Sequence, residues 1–222
     1  MPRPTSMPWH DFQEIPPDQM QQQARAFYSQ MQGRRCIRSF SERPVARDII
    51  ESCIGAAGTA PSGANKQPWH FAVVTDPQRK QEIRTAAEQH ERQFYEKIQD
   101  TQWADALKPL GTGTEKPFLT QAPYVVVVFA QRCQKDPAGN IDKHYYVTES
   151  VGIAVGFFLT ALHQAGLASL VYTPAPMGFL NDLLNRPLDE RAFCICPVGY
   201  PAADAQIPNQ SRKSIEQIVT WY

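Results

Sequence analysis

The chain has 222 residues, 42% of them hydrophobic and 20% charged, enough for a sizeable core in one large or two small domains. Its 22 Lys and Arg residues balance 22 Asp and Glu residues for a formal net charge of zero, which removes the electrostatic footprint of a nucleic-acid binder. The 5 cysteines, Cys36, Cys53, Cys133, Cys194 and Cys196, are odd in number and scattered, unlike a secreted disulfide framework, and fit a reducing cytosol. Cys194 and Cys196 lie two apart in an apolar run without a second pair or a nearby His, so they read as packing and no metal is assigned.

In chain order, residues 1–17 are proline-rich, lack the apolar core of a signal peptide and read as an extended arm. Ala24, Phe27, Tyr28 and Met31 recur at helical spacing, predicting a helix over Gln19–Met31 that Gly33 ends. Pro44 followed by Val45, Ile49, Ile50, Cys53, Ile54 and Ala57 predicts an amphipathic helix stopped by Gly58. A turn-rich loop, Thr59–Trp69, leads into a strand over His70–Val74. Pro77 opens a long helix, Gln78 to about Lys97, that is mostly polar all round and therefore expected to be weakly held.

Residues Pro109–Pro117, rich in Gly and Thr, are expected to move until something orders them, so 78–117 together read as a mobile region. Tyr124–Ala130 is an unbroken apolar run expected of a central strand covered on both faces. A turn is expected over Asp136–Asn140 and a buried helix over Tyr145–Ala165, too short in its apolar stretch to span a bilayer. Strands over Leu167–Tyr172 and Phe193–Val198 bracket a helix over Gly178–Leu184, and residues 202–222 form a basic C-terminal extension. Helices flank a few strands without regular βαβ alternation, so the class is α+β in a single domain.

Three stretches carry candidate chemistry. Arg34, Arg35 and Arg38 crowd three guanidinium forks into five positions just after Gly33, an arrangement suited to phosphate or carboxylate. Helical or extended, Arg34 and Arg38 share a side, and a solvated basic patch is the competing reading. Ala60-Pro61-Ser62-Gly63-Ala64 joins a fixed-φ residue, a hydroxyl and a glycine that admits close approach. Thr173, before Pro174, sets a hydroxyl at a strand end, where binding residues often sit but turn chemistry is also ordinary.

Arg-Arg-x-x-Arg-x-Phe over 34–40, Ala-Pro-Ser-Gly-Ala with Gln67-Pro68-Trp69 behind it, Ala122-Pro123 before an apolar strand, Pro197-Val198-Gly199-Tyr200-Pro201 and Arg212-Lys213 together resemble the FMN-dependent nitroreductase superfamily. The likeness runs from about Asp11 onward. Within that superfamily the chain is most similar to the iodotyrosine deiodinase family, whose lid carries a Glu, a Tyr four residues later and a downstream Lys. Glu91, Tyr95 and Lys116 stand in that register, with Trp103 between them.

The resemblance implies a nitroreductase-like fold with a central mixed sheet, an interlocked homodimer, FMN as cofactor and FMN-dependent dehalogenation of halotyrosines. It implies that Arg34, Arg35, Cys36, Ile37, Arg38, Pro61, Ser62, Val171, Tyr172, Thr173 and Arg212 contact FMN, Ser62 across the dimer interface. The Thr173 hydroxyl would face the flavin nitrogen that carries the hydride, making it the catalytic residue. Glu91, Tyr95 and Lys116 would hold the substrate zwitterion, and the Ala64 backbone its phenolate. Cys36 departs from the Ser usual in the deiodinases and is a weaker donor. Reduced nicotinamide such as NADPH, or a reductase, would supply electrons. Without a membrane anchor the protein is expected to be cytoplasmic. A general NAD(P)H-dependent nitroreductase or quinone reductase on the same fold remains the rival, and a flavin-binding protein without turnover a third reading.

Overall fold

The computed structural model describes residues 12–99, 101–135 and 138–222. Residues 1–11 of the expected arm and positions 136 and 137 of the expected turn lie outside them. The chain forms two compact units with the boundary between Arg34 and Arg35. The first holds α1 (Pro17–Gly33), which starts on a proline with Asp18 in its first turn and ends with the Arg34 N–H on the Met31 carbonyl at 3.2 Å. The expected apolar stripe forms, but Phe27 and Tyr28 remain exposed.

The second unit is built of α2 (Arg47–Gly58), β1 (Trp69–Val74), α3 (Pro77–Ile98), α4 (Gln102–Leu107), α5 (Phe118–Gln121), β2 (Tyr124–Gln131), β3 (Cys133–Lys135), β4 (Ile141–Lys143), α6 (Val147–Gln164), β5 (Ala168–Ser169), α7 (Phe179–Leu183) and β6 (Glu190–Gly199). The main sheet runs β1-β2-β6-β5 with every ladder antiparallel. Parallel pairing is confined to a single bridge between Cys36 and Ser169 among the described residues, so the expected mixed character rests on that bridge. The short β3–β4 hairpin has no counterpart in the sequence reading.

β2 explains why the sequence reads as continuously apolar. Val126, Val128 and Ala130 face one core with Ile50, Cys53, Val151, Phe158 and Leu162 from α2 and α6. Val125, Val127 and Phe129 face a second core with Ile83, Ala87, Leu119 and Leu180 from α3, α5 and α7. Period-two alternation therefore feeds helices on both sides. The bulge between Val128 and Phe129 shifts the register with β6 without exposing either face.

Two expectations change. The helix expected to be buried, α6, buries only one face, through Ser150, Val151, Ala154, Val155, Phe158 and Leu162; Gly152, Ile153, Gly156 and Phe157 are exposed. Helix α3, expected to be weakly held, is capped by the Asp76 carboxylate on the Arg79 N–H at 2.7 Å and buries Ile83 and Ala87 completely. Its buried Lys80 also donates to the Ala122 carbonyl at 2.9 Å. Ordinary hydropathy misses this stripe because it includes Lys80 and Glu91, polar side chains whose partners lie far along the chain.

Candidate functional site

The arginine-rich segment is extended, which settles the choice left open by its sequence. The Ile37 N–H reaches the Ser169 carbonyl at 3.1 Å, the Ser41 N–H the Tyr200 carbonyl at 2.9 Å, and the Ala202 N–H the Ser39 carbonyl at 3.1 Å. Main-chain bonds thus fix residues 37–41 beside β5 and the end of β6. Arg38 comes to line a cavity of about 520 Å³. The guanidinium is on a half-buried residue and no carboxylate lies within ion-pair distance of it among the described residues.

Glu91, Tyr95, Lys116, Val171, Tyr172 and Thr173 also line this cavity, with Phe94, Trp103 and Phe118 as aromatic wall. Glu91 and Tyr95 share a face of α3 because they are four residues apart. Lys116 arrives from the segment before α5. Its ammonium lies 3.1 Å from Glu91 Oε2, with 5% of the lysine side chain and 10% of the glutamate side chain exposed. The ammonium also donates to the Gly113 carbonyl and sits 5.3 Å from the centre of the Tyr172 ring. Tyr95 donates to the Thr112 hydroxyl at 2.8 Å, stitching the helix to the following segment.

Burial pushes the Lys116 ammonium below the ordinary lysine range, with Glu91 opposing the shift and the nearby Arg38 charge adding to it. The Tyr172 phenol is pushed well up, first by burial and then by the negative charge of Glu91, so it stays protonated.

Glu88 was not singled out in the sequence. It accepts from the Lys116 backbone N–H at 2.7 Å and pairs with Arg84 at 2.7 Å. Burial alone would raise its carboxyl, but the Lys116 N–H and the Arg84 guanidinium outweigh it and hold the group below the usual carboxylate range. The Arg84, Glu88 and Arg92 ladder at intervals of four was the available signal. These bonds tie the segment before α5 to α3.

Pro61, Ser62 and Ala64 do not line this cavity among the described residues. They lie in a loop packed on the N-terminus of α6. The Ser62 hydroxyl accepts from the Gln67 N–H at 2.9 Å, and the Gly63 N–H reaches Ser150 Oγ at 3.3 Å. A Cβ on Gly63 would stand 2.6 Å from the Tyr145 carbonyl oxygen, so only glycine fits. Ala64, Asn65 and Gln67 follow in the left-handed region, with φ of 50°, 53° and 47°. Positive φ values at these non-glycine residues are strained. Arg35, Cys36, Ile37 and Arg212 are likewise absent from the cavity wall, and Arg34 belongs to the first unit.

Among the described residues, no helix is long and apolar enough to cross a membrane. A family model described as the nitroreductase family matches residues 31–200. The chain is similar to an iodotyrosine deiodinase of Haliscomenobacter hydrossis, 46% identical over 220 residues that cover 99% of each chain. It is similar to another from Nematostella vectensis, 39% identical over 215 residues, covering 96% of this chain and 81% of that one. A crystal structure of oxidised iodotyrosine deiodinase bound to FMN and 3-iodo-L-tyrosine superposes with a TM-score of 0.77 at 32% identity, covering 88% of this chain and 100% of that chain.

Proposed function

This chain belongs to the nitroreductase family and, within it, to the iodotyrosine deiodinases, and from that premise we propose that it removes halide reductively from halotyrosines using FMN. FMN, when bound, supplies the electrons that, with one proton, replace a carbon–halogen bond by a carbon–hydrogen bond and release halide. The residues present suit it: the half-buried Arg38 lacks a protein anion among the described residues, and Thr173, directly after the isolated Tyr172–Ile195 bridge, lines the same cavity. Arg35, Arg38 and Arg212 bind its anionic and polar edges. The backbone around Cys36, Ile37, Pro61, Ser62, Val171 and Tyr172 completes its seat, and Thr173 directs a hydroxyl to the redox-active part of the ring.

The observation that carries the substrate assignment is the buried Glu91–Lys116 pair on the wall of an aromatic cavity. A zwitterionic amino acid exchanges this internal pair for two external ones. Its ammonium goes to Glu91 and its carboxylate to Lys116, so no buried charge is left uncompensated. A ligand with only one of those charges strands the other protein group, and a ligand with neither leaves the pair closed. Tyr95 adds a phenol to the same face, and the Ala64 N–H donates to the substrate phenolate. Residues 78–117 act as the lid and 202–222 as an extension of the FMN-binding domain. A reduced nicotinamide or a separate reductase supplies electrons, and the location is cytoplasmic.

The assignment is tested by titrating bound-flavin fluorescence. Iodotyrosine is expected to quench it at micromolar concentration, whereas iodophenol and simple nitroaromatics, which lack the zwitterion, require far more. Equal response to all three favours a general nitroreductase and ends the halotyrosine reading.

We also propose that the working unit is a homodimer. Helix α6 presents Gly152, Ile153, Gly156 and Phe157 outward, while the tail leaves Ile215, Ile218 and Trp221 exposed, apolar area that a second copy would cover. Ser62 and Ala64, off the cavity wall in one chain, would then reach FMN and substrate from the partner. Sedimentation velocity is expected to show a dimer that loses flavin on dilution; a monomer with stoichiometric FMN refutes this.

A further inference from the structure

Tyr172 has a second role that the sequence does not suggest. Its backbone is fixed twice on β6, with its N–H on the Ile195 carbonyl at 2.9 Å and its carbonyl accepting from the Ile195 N–H at 2.8 Å. Its side chain turns to the lid. The phenol donates to Glu91 Oε1 at 3.0 Å, the ring meets Phe118 edge-on at 5.4 Å between centroids, and the Lys116 ammonium lies 5.3 Å from its centre. Both oxygens of Glu91 are therefore engaged, one by Lys116 and one by Tyr172.

These two ties differ in kind. Lys116 sits in the segment before α5, and in the halotyrosine reading its ammonium turns from Glu91 toward the substrate carboxylate. Tyr172 belongs to the sheet and stays. A carboxylate has about four lone-pair sites, so Glu91 can keep the phenol on Oε1 while Oε2 passes from Lys116 to a substrate ammonium.

We propose that Tyr172 is a positioning residue for substrate selection, the rigid donor that keeps Glu91 aimed into the cavity when Lys116 releases it. This rests on the halotyrosine reading above. The phenol thereby favours zwitterionic amino acids over bare aromatic rings, because only the former use Glu91. The residue thus joins two elements: its backbone is bonded to β6 while its side chain reaches Glu91 on α3.

The test is Tyr172→Phe in the FMN-loaded protein, assayed with 3-iodotyrosine and with a nitroaromatic lacking amino and carboxyl groups. Phenylalanine keeps the packing on Phe118 and Lys116 and removes only the hydrogen bond. The KM for iodotyrosine is expected to rise about tenfold, the effect of losing one hydrogen bond to a charged group, with kcat within about twofold of wild type. The ratio of kcat/KM for iodotyrosine to that for the nitroaromatic, taken per bound flavin, is therefore expected to fall about tenfold. An unchanged or lower KM for iodotyrosine overturns the proposal, as does a parallel loss with both substrates, which marks a merely structural role. Glu91→Gln, measured alongside, separates the two layers. If it destroys the preference for iodotyrosine while Tyr172→Phe does not, only the role of Tyr172 falls; if it leaves the preference intact, the lid reading itself falls.

Discussion

Lys116→Ala is expected to lower kcat/KM for 3-iodotyrosine by between a hundredfold and a few thousandfold, the equivalent of the ~3–5 kcal/mol lost when one partner of a buried ion pair is removed. Lys116 is 4% exposed and its ammonium is shared between Glu91 and the Gly113 carbonyl. The substitution removes the group that takes the substrate carboxylate and leaves Glu91 with the Tyr172 phenol and no cation. Reduction of a nitroaromatic should stay within a few-fold of wild type, because that substrate calls on neither charge. A parallel collapse of both activities would show that Lys116 only supports the lid.

The same residue sets a pH dependence. Burial lowers the Lys116 ammonium from the ordinary lysine value, so its charge is lost at a lower pH than that of an exposed lysine. Carboxylate binding needs the charge, and the KM for iodotyrosine should therefore climb as the pH rises through the lowered value. The fold responds in the opposite sense. A lysine that is harder to protonate when folded than when unfolded weakens the folded state most at low pH, and that penalty is relieved as the pH rises past its folded value. Lys116→Arg keeps the charge and should flatten the alkaline rise in KM.

Arg38→Ala is expected to weaken FMN binding by roughly 10- to 150-fold, the range of a charge-assisted hydrogen bond worth about 1.5–3 kcal/mol. The main chain holding Arg38 is pinned by the Ile37 bond to Ser169 and the Ser41 bond to Tyr200, so the loss should be local and the thermal unfolding of the flavin-free protein nearly unchanged. Equilibrium dialysis measures the affinity directly. Arg38 also depresses the Lys116 ammonium across the cavity, so its removal should move the alkaline limb for iodotyrosine to higher pH. Wild-type FMN affinity together with an unmoved limb removes Arg38 from the site.

Much of this protein could be read from its residues alone. The β-branched run Val125–Val128 demanded a strand covered on both faces, and the structure supplies a helical layer on each. The spacing of Glu91 and Tyr95 put both on one helix face, and the arginine, Ala-Pro-Ser-Gly-Ala and lid motifs pointed to the family. All of these signals are local, carried by side chains within a few positions of one another, where helix and strand periods decide which way a group faces. The tertiary structure decided what those groups meet. It paired Glu91 with Lys116, set Glu88 on the Lys116 N–H, turned the Tyr172 phenol to a carboxylate 81 positions away, and made the arginine segment extended by pairing it beside β5 and β6. It also showed that α3 is held by a buried stripe that mixes Ile83, Ala87 and Ile98 with the polar Lys80 and Glu91, and that α6 leaves an apolar face uncovered. Any buried charge accepts several partners of the right type, and the chain contains many; only packing, which fixes the distances and excludes water, selects one.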